Sequence, residues 1–71
     1  MKNNTLTFGL FGDAQRVANY LIANRMSFRF SAMRTDRPGY NVIFLWDADI
    51  DCARRFCETH AIAHVESSLE H

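Results

Sequence analysis

Phe8-Gly9-Leu10-Phe11-Gly12-Asp13 is echoed, at an offset of 36 residues, by Phe44-Leu45-Trp46-Asp47-Ala48-Asp49, and these two stretches decide how the chain folds. In each, an apolar run gives way to an acid. Before the first acid, Leu6, Phe8 and Leu10 alternate with Thr5, Thr7, Gly9 and Phe11, the period-two pattern of a strand with one buried face, predicted over residues 5–11. Gly12 and Asp13 stop it, and Asp13 is predicted to cap a helix. Ala14, Val17, Ala18, Tyr20, Leu21 and Asn24 then follow helical spacing to an end near Asn24 or Arg25. In the echo, Tyr40 to Trp46 is apolar almost throughout, as in a central strand, and Asp47 to His60 is a second helix with Ile50, Ala53, Phe56 and Cys57 on one face. Asp49 is its predicted cap.

The same offset aligns Val17 with Ala53, Tyr20 with Phe56 and Met26 with Ile62, so each half reads as one βαβ unit. Phe28, Phe30 and Ala32 alternate with Arg29, Ser31 and Met33, giving the strand that closes the first half. Asp36-Arg37-Pro38-Gly39 is a turn by its Pro and Gly, which makes a hairpin with the strand after it. Ala63 to Ser67 forms a short last strand. The resulting fold class is α+β: a ferredoxin-like βαββαβ two-layer sandwich, with a four-stranded antiparallel sheet and two helices on one face. One domain spans residues 1–68. Leu69-Glu70-His71 resembles the start of a vector-encoded purification tag and is set aside.

Hydrophobic residues make up 48% of the chain and aromatic residues 13%, the composition of a packed globule, but 71 residues leave little surface to bury and hence thin stability. Eight basic residues balance eight acidic ones, so no global field draws the chain to nucleic acid or anionic lipid. The apolar run after Lys2 is too short and interrupted for a signal peptide or a membrane span. Cys52 and Cys57 point about 140° apart on a helical wheel. They cannot bridge each other, and unpaired thiols fit a reducing, cytoplasmic setting.

Equivalent positions in the two halves should face the same way. That sends Leu6, Phe8, Leu10, Val42, Phe44 and Trp46 inward, and turns Thr5, Thr7, Gly9, Phe11, Asn41, Ile43 and Leu45 to the uncovered side with Arg29, Ser31 and Met33. Phe11, Met33, Ile43 and Leu45 would then expose an apolar centre of a few hundred Å2 beside Arg29, a size that points to a partner. The expectation is a non-enzymatic binding, regulatory or interaction domain. It self-associates, as a homodimer, through that face or an edge strand, with another protein or a small-molecule ligand as the other partners.

No complete catalytic set, cofactor motif or metal cage is legible. Asp47, Asp49, Asp51 and Glu58 have part of a calcium-loop spacing, but Cys52 stands where the loop demands Gly. Asp51 with Arg55 and Arg54 with Glu58 read instead as i,i+4 pairs. Cys57, His60 and His64 lack the spacings of a zinc site and are a fragment of a nucleophile–base pair. Gly9 to Asp13 lacks the Lys and Ser or Thr of a phosphate loop. A second reading is a single-stranded RNA-binding domain: Gly39-Tyr40 entering an apolar strand resembles part of an RNA-recognition signature. It implies contacts from Arg25, Arg29, Arg34, Arg37 and Tyr40. In length and element order, with Gly12-Asp13 at the first strand–helix junction, the chain also resembles small ferredoxin-like regulatory domains of the ACT kind. That resemblance implies ligand binding and association through sheets.

Overall fold

The computed structural model describes residues 3–32 and 39–68. In chain order these form β1 (Thr5–Phe8), α1 (Phe11–Ala23), β2 (Phe28–Ala32), β3 (Tyr40–Phe44), α2 (Asp47–Thr59) and β4 (Val65–Ser67). The strands make one four-stranded sheet of order β2-β3-β1-β4, antiparallel at every neighbouring pair. This is the predicted ferredoxin-like two-layer sandwich. Leu6, Phe8, Val42 and Phe44 turn to one face, where Ala14, Val17 and Leu21 of α1 and Ile50, Ala53 and Cys57 of α2 close over them. Burying these side chains contributes roughly 1.5–3 kcal/mol for each large one, the main term holding so short a chain together.

The sequence repeat is a structural one. Both helices begin and end 36 residues apart, Phe11 with Asp47 and Ala23 with Thr59. In the β1–β3 register Thr5 faces Ile43, Leu6 faces Val42 and Thr7 faces Asn41. Exchanging the halves returns the same pairs, so a local twofold axis passes midway between Leu6 and Val42. The outer registers obey it too: Arg29 facing Ile43 corresponds to Val65 facing Thr7, and Phe30 facing Val42 to Glu66 facing Leu6. Tyr20 and Phe56, one from each half, stack at a centroid distance of 4.3 Å. Aromatic contact adds about 0.5–1.5 kcal/mol beyond area.

Both helices also stop the same way. Met26 N–H donates to Leu21 O at 2.9 Å and Arg25 N–H to Ile22 O at 3.1 Å; Ile62 N–H donates to Cys57 O at 2.8 Å and Ala61 N–H to Glu58 O at 3.3 Å. These are Schellman endings, with Arg25 (φ 57°) and Ala61 (φ 53°) in the left-handed region usually given to Gly. The buried Ile62 and the partly buried Met26 pack on the core just past the helix ends, the apolar contact such endings recruit.

The helix starts correct the sequence reading. Leu10 and Trp46 are the N-caps, without a side-chain cap bond, and Asp13 and Asp49 sit one turn in, where the positive helix terminus favours an acid. Since β1 ends at Phe8 and β3 at Phe44, alternation no longer fixes the two residues after each. Leu10 and Trp46, predicted inward, are 67% and 64% exposed. Of the predicted Asp36–Gly39 turn only Gly39 lies among the described residues. Its φ is 110°, and a Cβ there would sit 2.7 Å from Phe8 O, so the strand crossing requires Gly.

Candidate functional site

The sheet face away from the helices carries two rows across the strands. One is Arg29, Ile43, Thr5 and Ser67; the other is Ser31, Asn41, Thr7 and Val65. Its centre is closed and largely polar. Thr5 and Asn41 are fully buried, Ile43 is 5% exposed, and the Thr7 hydroxyl donates to Asn41 Oδ1 at 2.6 Å. Among the described residues the expected apolar patch is therefore not assembled here. Arg29 and Ile43 do meet as a cross-strand pair, with Arg29 exposed. Phe11 opens α1 rather than ending β1, and its ring stands edge-on to Tyr40 at 5.4 Å. Leu45 is exposed in the bend beyond β3, at the opposite end of that strand from Tyr40. Met33 lies outside the described residues.

Of the residues set out for RNA contact, Arg25 is exposed at the end of α1 and Arg29 on β2, while Arg34 and Arg37 lie outside the described residues. Tyr40 packs on the helix-side core, between Phe11 and Phe30; its ring and that of Phe30 are stacked at 6.5 Å. Among the described residues the uncovered face holds no aromatic ring on which a base could stack.

The outer strands β2 and β4 are equivalent under the local twofold, yet their edges differ in chemistry. On β4 the helix-side position is Glu66. Arg54 of α2 donates to it in fork geometry, Nε to Oε2 at 2.7 Å and Nη2 to Oε1 at 2.8 Å, and reaches Asp51 through Nη1 at 2.6 Å. Arg54 thus turns to Asp51 and Glu66, not to Glu58 as the helical spacing predicts. The Arg54 hydrogen bond holds the Glu66 carboxyl below the usual carboxylate range. On β2 the equivalent pair is Ala18 and Phe30, and Phe30 is 43% exposed. Phe30, Tyr40 and Phe11 form a continuous run of rings from that edge towards Leu10.

The backbone of β2 completes the edge. Phe44 donates its N–H to Asn4 O at 2.7 Å, on the β1 side of β3. In an antiparallel ladder successive residues turn their N–H and C=O groups to opposite sides. Asn41 and Ile43 therefore bond to Ser31 and Arg29, and the amide groups of Phe28, Phe30 and Ala32 point outward.

A concavity of about 230 Å3 lies where the helices meet and is lined by Tyr20, Cys52, Arg55, Phe56, Thr59 and His60. It falls below the ~300 Å3 from which small-molecule sites usually start, and its aromatic wall is occupied internally, with His60 against Phe56 at 4.3 Å. Cys57 is buried, and burial, with Asp13 and Glu58 nearby, pushes its thiol up to about 11, the reverse of an activated nucleophile. His64 instead lies over Phe8, its Nδ1 3.0 Å from Ile62 O, so Cys57, His60 and His64 do not converge. Asp47, Asp49, Asp51 and Glu58 all belong to α2, and among the described residues no group of three or more His, Cys, Asp or Glu side chains is placed to hold a metal.

Comparison with protein-family models, curated proteins and solved structures returns no match to this chain. Sequence reasoning missed the fork between Arg54 and Glu66, although the offset of 36 aligns Glu66 with Phe30 and Arg54 with Ala18 and so carries the contrast between the edges.

Proposed function

We propose that the chain is a small non-enzymatic interaction domain that self-associates, as a homodimer, through the outer edge of β2. The observation that carries this reading is the contrast between two equivalent edges. One is closed by a charged fork, a usual way of blunting a strand against further pairing. The other turns outward backbone groups that pair with no strand among the described residues, beside a half-exposed phenyl ring, the features that strand addition uses. The buried, largely polar centre of the sheet face away from the helices favours the edge over that face as the interface.

Ligand regulation of the ACT kind rests on element order, which supports the fold and not an activity. The free thiols of Cys52 and Cys57 support a reducing, cytoplasmic setting. Among the described residues no helix is long and apolar enough to cross a membrane.

Sedimentation across a concentration series tests the proposal. The wild-type chain is expected to reach twice its monomer mass, and Phe30→Lys to stay a folded monomer, because an ammonium at this half-exposed site can reach water only while the edge is free. A strict monomer at all concentrations, or a dimer indifferent to Phe30→Lys, would overturn it.

A further inference from the structure

We infer that two copies pair β2 with β2 antiparallel about a twofold axis at Phe30, and that this contact closes the assembly at two chains; the inference rests on the edge reading above. The outward amides belong to Phe28, Phe30 and Ala32, a set symmetric about Phe30. A second copy brought in antiparallel then places Phe30 against Phe30 in a hydrogen-bonded pair, with Phe28 against Ala32 on either side. All five residues of β2 are used.

Charge and strand length disfavour the two registers on the Phe28 side. Centred on Phe30, Arg29 of each copy faces Ser31 of the other. Centred on Arg29, two guanidinium groups would face directly, which is destabilising. Centred on Phe28, the pairing would run Phe30 past the strand into Met26.

Closure follows from the other edge. A head-to-tail contact of β2 with β4 would grow without limit, but it would set Phe30 beside Glu66, whose carboxylate is already held by Arg54. The pairing about Phe30 instead leaves only the two charged β4 edges at the ends of a doubled sheet.

Disulfide trapping and hydrogen exchange test the register, with mass measured alongside. In a Cys52→Ser background, Phe30→Cys is expected to cross-link within the dimer under mild oxidation, since hydrogen-bonded antiparallel pairs hold their Cα atoms about 5.5 Å apart, within disulfide reach. Arg29→Cys is expected to cross-link at least tenfold more slowly. In the unmutated chain the Phe28 and Phe30 amides should be protected at dimer concentrations and exchange on dilution. A dimer whose Phe28 and Phe30 amides exchange freely, or in which Arg29→Cys links faster than Phe30→Cys, overturns the register while leaving self-association standing. Species larger than two chains overturn closure, and a monomer throughout overturns the edge reading itself.

Discussion

At the scale of single residues, Arg25 and Ala61 have left-handed backbones that an L side chain adopts at a cost. Nothing in their identity announces it, because the usual sign is Gly and neither is one. What the sequence did carry was the place: Asn24 and His60 are the C-caps, aligned by the repeat, with Met26 and Ile62 two residues on as the apolar anchors. Ala61→Gly should therefore raise stability by about 1 kcal/mol, since relief of the left-handed conformation outweighs the extra freedom Gly has when unfolded. A later urea midpoint would show it, with Ala63→Gly, at an exposed site of ordinary φ, as the destabilising control. Leu10 and Trp46 make the complementary point. Their apolar character extended the alternating pattern beyond the strands, and only the backbone shows that each has become a helix cap.

At the scale of elements, β4 shows how a three-residue strand is held. Its apolar contribution is slight, with Val65 exposed, and it is held by its ladder to β1 and by the fork from α2 to Glu66. The sequence gives Arg54 a nearer acid in Glu58, and the choice of Glu66 depends on how β4 returns beside β1, which local spacing does not encode. The pH dependence has a definite sign. Glu66 is held below its usual range by Arg54, so the stability it contributes is present above the unfolded carboxylate pKa and is lost as pH falls through the lowered folded value. Because both side chains are partly exposed, the fork contributes about 0.5–1 kcal/mol, in the range of solvent-accessible ion pairs. Urea midpoints taken from neutral pH down into the acid range should fall less steeply for Glu66→Gln than for the wild-type chain, with the two curves converging at low pH. Parallel curves would mean that the fork adds nothing to stability.

At the scale of the whole molecule, the local twofold between Leu6 and Val42 makes the two halves interchangeable in the sheet. It was legible in the sequence because the same positions recur: Phe8 and Phe44 inward, Tyr20 and Phe56 between the helices, Met26 and Ile62 after them. The difference between the outer edges was less so, since it lies in pairs that touch only across elements. Asn4 N–H donates to Ser67 O at 3.1 Å, and the Ser68 hydroxyl reaches Asn3 Oδ1 at 3.5 Å, so the described ends of the chain lie side by side. A circular permutant with a short Gly-Ser link from Ser68 to Asn3, opened between Ala32 and Gly39, should keep the native circular dichroism and a cooperative unfolding transition; loss of both would show that the β2–β3 connection is needed for the fold. The strand order sets when a chain emerging from the ribosome can pair its strands. Among the described residues β1 pairs only with β3 and β4, both supplied by the second half, so the described strands of the first half form no sheet by themselves. A nascent chain that stops short of Tyr40 would hold Leu6 and Phe8 with no strand to pair with, so the sheet forms only after the second half has been made.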